Sequence, residues 1–365
     1  MKNKFGWEIK KIGDVCDVFN GGTPDTTVKE YWDGDNLWIT PKDMGKLTSK
    51  FVDKTERKLT DEGVKNSSAR LLPINSVIMS SRAPIGHLAI NTLPICTNQG
   101  CKGMVPKKGL NSNYLYYFLS NSVQLLNDLG SGTTFKEISG TKLSTVKIPV
   151  PPLPTQHQIV SELDALSEII SKKKQQIEEL DKLAQATFYD MFGDPVTNEK
   201  GWEVVPFTDV LVLKRGYDLP VQNREIGNIP IMASNGILGY HNKFMVKGPG
   251  VITGRSGTLG QVHYIKEDFW PLNTALYSKN MNGNNSIYIL YLLRNFQVER
   301  FARGAGVPTL NRNLVHDELI IKTPISIQNQ FAAKIESIEN QKILINQSLL
   351  DVQQLFDYTM DKYFN

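Results

Sequence analysis

Apolar residues recur at alternating spacings of three and four along two stretches of the chain, 159–191 and 331–363. In the first, positions 159, 166, 173, 180 and 187 interleave with 163, 170, 177, 184 and 191, and eight of these ten are apolar. Adding 172 to each number gives the second set, again with eight apolar residues of ten. Such spacing, held over four heptads, marks a helix that buries one seam against another helix. Two helices are therefore predicted, over 155–192 and 327–364. Their seams are Ile159, Leu163, Leu166, Ile170, Ile177 and Leu180, and Phe331, Ile335, Ile338, Ile345, Leu349, Val352 and Phe356. Neither has a partner within its own stretch, so the simplest burial is mutual, with the second helix returning antiparallel to the first. At about 1.5 Å per residue each is a rod of roughly 55–60 Å.

The rest of the chain reads differently. Short β-branched runs at 77–79, 251–253 and 262–265 are bounded by Gly, Pro and Asn, which predicts compact, mostly-β heads. The heads repeat as the helices do. Gly6-Trp7-Glu8 recurs as Gly201-Trp202-Glu203, an offset of 195, whereas the junctions into the helices recur at 172. There PPLPTQHQIV (151–160) is echoed by TPISIQNQFA (323–332), with Gln156 and Gln158 answered by Gln328 and Gln330. Within the heads, Arg82 and Gly86 match Arg255 and Gly260. A helix candidate (113–126; 286–300) and a Gly-rich loop (130–132; 304–306) follow in each. The expected architecture is α+β: two mostly-β domains in tandem, separated by two long helices that pair as an antiparallel coiled coil. The predicted boundaries are 1–152, 153–198, 199–323 and 324–365.

Composition narrows the chemistry. A formal charge of +4 and a pI near 8.7 permit a nucleic-acid partner without requiring one. No apolar run approaches the roughly 18 residues of a membrane span and MKNKFGWEIKK carries no signal-type apolar segment, so a cytoplasmic protein without membrane contact is expected. Cys16, Cys96 and Cys101 make no disulfide framework and no paired zinc pattern, and are read as free thiols. Catalytic motifs are missing. The segment 248–256 has Pro249 and Arg255 where a phosphate loop needs Gly and Lys, and reads as a strand flanked by turns. Glu8-Ile9-Lys10 and Glu56-Arg57-Lys58 imitate half of a nuclease site, as charged loops do by chance.

The Gly-Trp-Glu starts, the Arg-x-x-x-Gly strand ends, Thr97-Asn98-Gln99-Gly100 and Ile148-Pro-Val-Pro-Pro-Leu-Pro-Thr-Gln156 together give the chain a family likeness. It resembles the DNA-specificity subunit of type I restriction–modification systems over nearly its whole length. The second junction departs from the pattern in lacking the proline string. The resemblance implies target-recognition domains that each read half of a bipartite site in double-stranded DNA. It also implies helices that set the gap and dock two methyltransferase subunits, with two motor-endonuclease subunits as further partners. The chain itself is then no enzyme and binds no cofactor; S-adenosylmethionine, ATP and Mg²⁺ belong to the partners. Residue chemistry nominates DNA contacts. These are Lys42, Arg82, Lys102, Thr133, Thr134 and Lys136 in the first head, and Lys214, Arg215, Arg224, Lys243, Arg255 and Arg312 in the second. For Arg82 and Arg255 a structural ion pair is an equal alternative. Two other readings stand beside this one: a stand-alone DNA nuclease or methylase with a cryptic site, and an adaptor whose heads bind protein.

Overall fold

The computed structural model describes residues 2–132, 136–304 and 308–365. The chain divides into two compact units, Met1–Lys172 with Leu349–Asn365, and Lys173–Ser348. Each unit is a mostly-β head together with segments of both long helices, so each helix is shared between the units.

The first head opens and closes on one two-stranded ladder, in which Glu8–Lys11 runs antiparallel to Lys147–Val150. Inside it lies a five-stranded sheet in the order Cys16–Asn20, Cys101–Pro106, Val77–Ser81, Ile85–Asn91, Phe51–Val52. The central strand, Val-Ile-Met-Ser-Ser, is buried along its whole length, as its β-branched, uncharged sequence requires. A smaller sheet orders Arg57–Leu59, Trp32–Ile39 and Ile95–Thr97. The helix Ser112–Asn121 covers the core with Tyr114, Leu115, Phe118 and Leu119. The repeat comparison offers one helix candidate over 113–126; the chain instead breaks at Ser122 and a second short helix, Val123–Leu129, follows.

The second head repeats the plan. Its ladder pairs Glu203–Pro206 with Leu319–Lys322. Its larger sheet has four strands, Val212–Arg215, Ala275–Asn280, Gly250–Gly254 and Val262–Ile265, and a three-stranded sheet accompanies it. The segment that imitates a phosphate loop is the buried strand Gly250–Gly254. A Cβ at Gly254 would lie 1.8 Å from the Thr258 carbonyl oxygen, so the strand can only turn there as glycine. The helix Ser286–Asn295 takes the place of Ser112–Asn121 and is capped in the same way: Asn285 Oδ1 accepts from the backbone of Ile287 and Tyr288, as Asn111 Oδ1 does from Asn113 and Tyr114.

Both long helices are continuous, the central one over Leu153–Phe192 and the distal one over Ile325–Phe364. In the first unit Ile159, Val160 and Leu163 share a core with Met360, and Tyr363 donates from its hydroxyl to Glu162 at 2.9 Å. In the second, Phe188 and Phe192 from the end of the central helix meet Phe331 near the start of the distal one, at ring centroid distances of 5.7 and 5.3 Å. Start meets end in both units, which is antiparallel pairing. The repeated Gly-Trp-Glu finishes the helix ends. Trp202 donates from Nε1 to the Phe192 carbonyl at 2.9 Å, and Trp7 packs near Tyr363 of the distal helix.

Candidate nucleic-acid interface

In the second head four arginines line one open cleft of about 460 Å³. Arg215 ends the strand Val212–Arg215, Arg255 follows Gly254, Arg303 precedes the Gly-rich loop, and Arg312 starts the short helix Arg312–His316. Thr309, Asn311 and Asn313 complete the polar lining, and none of the lining residues is acidic. Arg255 Nη1 donates to the Asn273 carbonyl at 3.2 Å, and Arg215 Nη2 lies 3.7 Å from the exposed Asp218 carboxylate, which is outside the lining. Guanidiniums around a concave surface without a carboxylate in its lining suit polyanion oxygens and base edges. The sequence alone nominates Arg215, Arg255 and Arg312. It does not single out Arg303, although the place beside Gly304 is a signal. Lys214 lies over the Tyr217 ring at 5.6 Å, Arg224 donates to the Leu219 carbonyl, and Lys243 is exposed; none of these three lines the cleft.

The first head answers this arrangement with a charge-compensated one. Arg82 and Lys102 converge on Glu137, at 3.5 and 3.3 Å, and Ser81 Oγ donates to the same carboxylate. Lys102 is only 5% exposed, and an ammonium so buried requires its carboxylate. Backbone pairing aligns the two heads here. Ile138 donates to the Ser81 carbonyl and Leu310 to that of Arg255, and Arg82 bridges Glu137 as Ser256 bridges Thr309. Glu137 and Thr309 therefore correspond, while Arg82 corresponds to Ser256, one position beyond the Arg255 that the sequence match gives. Lys42 and Lys46 both pair with Glu56, whose carboxyl Lys42 foremost holds below its ordinary range. Lys136 is exposed, and Thr133 and Thr134 lie outside the described residues.

The junctions carry the most closely repeated chemistry. Gln156 is fully buried; its Oε1 accepts from Asn111 N, while Nε2 donates to the carbonyls of Gly109 and Pro151, all at 2.8 Å. Gln328 is equally buried, accepting from Asn285 N at 2.9 Å and donating to Asn284 Oδ1 at 2.8 Å and to the Thr323 carbonyl at 2.9 Å. The second glutamine of each pair, Gln158 and Gln330, is exposed.

Of the seam residues, Ile159, Leu163, Leu166, Phe331, Ile335 and Ile338 are buried; Ile170, Ile177, Leu180, Ile345, Leu349, Val352 and Phe356 are half-buried. Phe188, Phe192 and Met360 are buried as well but fall outside the heptad slots. A straight helix drifts by about 20° per heptad, so near its ends the buried face turns from the partner helix toward the head. The Lys342 seam position is charged and answered, by Asp181 at 2.7 Å and Glu339 at 3.0 Å. Among the described residues no three His, Cys, Asp or Glu side chains are placed to share a metal ion, and no helix is long and apolar enough to cross a membrane.

Comparison with known proteins agrees with this geometry. A family model described as the type I restriction modification DNA specificity domain matches residues 5–181 and 199–354, one copy on each head and its helix. The MjaIX type I restriction enzyme specificity subunit of Methanocaldococcus jannaschii is 31% identical over 389 residues, spanning 95% of this chain and 89% of the relative. The EcoprrI specificity subunit of Escherichia coli is 23% identical over 350 residues, spanning 90% and 86%. In fold, the crystal structure of a type I restriction–modification S subunit from M. genitalium is similar with a TM-score of 0.62 at 16% identity, covering 100% of this chain and 98% of that one.

Proposed function

Because the chain belongs to the type I restriction modification DNA specificity family, we propose that it is the non-catalytic subunit that selects DNA for a type I restriction–modification complex. Each head reads one half of a split site in double-stranded DNA. The observation that carries the DNA reading is the second head's cleft, with four arginines and no carboxylate in its lining. Its guanidiniums supply the phosphate attraction and the forked donors that base recognition uses. The long helices set the gap between half-sites and dock two methyltransferase subunits; motor-endonuclease subunits join them. S-adenosylmethionine, ATP and Mg²⁺ are bound by those partners, and the complex acts in the cytoplasm, where the DNA is.

Support comes from the duplication itself: two heads, each joined by the same glutamine to a helix of the same length, suit two half-sites at a set separation. The test is co-expression with the methyltransferase subunit of the same system, followed by mapping of modified bases. Methylation at a split sequence that appears only with this chain is the expected result. Methylation indifferent to it refutes the reading.

A further inference from the structure

Between each head and its long helix stands one buried amide whose hydrogen-bonding capacity is used from both ends. Gln156 and Gln328 each accept one backbone N–H and spend both Nε2 hydrogens on two oxygens. No other side chain of that length does both: ionised glutamate has no donor, lysine no acceptor, and methionine no donor and only a weakly accepting sulfur. The three partners come from two segments, neither of them the helix that carries the glutamine. One is the chain leaving the head's closing ladder (Pro151; Thr323). The other is the approach to the head's covering helix (Gly109 and Asn111; Asn284 and Asn285), where Asn111 and Asn285 are themselves caps. An apolar contact at this place would permit slip and rotation, whereas three directed bonds specify one geometry.

We propose that Gln156 and Gln328 are positioning residues that fix the angle of each head on its helix, and through it the half-site separation the protein accepts. The proposal rests on the DNA-recognition reading above. Its leverage is geometric. A 40-residue helix is about 60 Å long, so a tilt of about 5° at its start displaces its far end by about 5 Å. That exceeds the roughly 3.4 Å between successive base pairs. The two joints are also unequal. The first takes its third bond from a backbone carbonyl, Gly109. The second takes it from the side chain of Asn284, which is held in turn by donating to the Val210 and Met281 carbonyls. Asn284 is therefore a positioning residue of the second joint that has no counterpart in the first.

The experiment uses the chain in complex with the methyltransferase of its system, on a library in which both half-sites are constant and the gap varies by one and two base pairs. The variants are Gln156→Met, Gln328→Met and the milder Asn284→Ala. Each is expected to raise methylation at neighbouring gaps about tenfold relative to the native gap, with base preferences in each half-site unchanged. A purely structural role lowers methylation at every gap alike, and an unchanged gap ratio overturns the proposal. A second measurement needs no DNA. Spin labels at Lys65→Cys in the first head and Lys172→Cys on the central helix report the joint directly, since the native thiols are buried. Gln156→Met should broaden that distance distribution, and an unchanged width overturns the lock. Gap-independent methylation by the unaltered complex overturns the recognition reading instead, while the label distances still decide the joint.

Discussion

Replacing Phe188 by alanine is the sharpest test of how the central helix is buried in the second unit. The heptad pattern puts Thr187 in the seam; the structure turns Phe188 inward, 0% exposed, with Phe192, Phe331, Tyr291 and Tyr288 at centroid distances of 5.2, 5.7, 6.3 and 6.4 Å. A buried Phe→Ala change costs about 3–5 kcal/mol, and each aromatic pair that disappears contributes about 0.5–1.5 kcal/mol within that total. For a unit of 150–250 residues, 1 kcal/mol corresponds to about 2–4 °C, so Tm for the second unit should fall by about 6–20 °C. Leu183→Ala, on the same helix but 51% exposed, should change stability by no more than about 0.5 kcal/mol. Calorimetry with urea melts of both variants measures this. Equal effects at 183 and 188 would refute the inward face assigned to the helix end.

Three further outcomes follow from other sites. Thr309→Glu brings into the second cleft the carboxylate that the first head has in Glu137. In the methyltransferase complex it should weaken DNA binding and flatten the salt dependence, by about 0.9 in the log–log slope for each phosphate the protein no longer neutralises; an unchanged slope argues against phosphate binding at this cleft. Asp164→Ala strands Lys50 and the Tyr117 hydroxyl, both paired to it, and should cost about 2 kcal/mol, on the scale of a hydrogen bond to a charged group, read from the denaturation midpoint of the first unit. Burial pushes Cys16 and Cys101 up to about 12 and Cys96 to about 11, from an ordinary 9.0. A thiol reagent at pH 8 should find no free thiol in the folded chain and all three after unfolding. Because the folded state favours the neutral thiols, their stabilisation is whole below pH 9 and is lost as the pH rises from 9 through 11–12. A midpoint that holds steady or rises over that range contradicts the burial.

Much of the architecture is legible in the chain because it is written twice. The offset of 172 locates both helices to within a few residues, and the shared Gln register points at Gln156 and Gln328 without showing their bonds. Phe188, Phe192 and Met360 escape because a heptad assumes a helical partner alone, whereas the helix ends pack against their heads as well as the partner helix. The cationic candidates divide for a similar reason. Residue type nominates Arg82 and Lys102, but only the fold brings Glu137 to them from 35 and more positions away in sequence. Arg303 has the right type and only its place beside Gly304 to distinguish it from Arg300, which pairs with Glu318 and packs over Phe296 and Phe301.

The last residues of the chain, Leu349–Asn365, belong to the unit that begins at Met1, and Met360 sits in one core with Ile159 and Leu163. On the ribosome the first unit is therefore begun before the second and completed after it. With translation at ~5–20 residues per second, its core waits on the order of ten to thirty-five seconds after Lys172 for the segment that closes it. During that interval the part of this core that Met360, Phe356 and Phe364 later cover is open to chaperones and proteases. A chain cut after Ser348 thus loses part of the first unit, and the second unit, complete at Ser348, is spared.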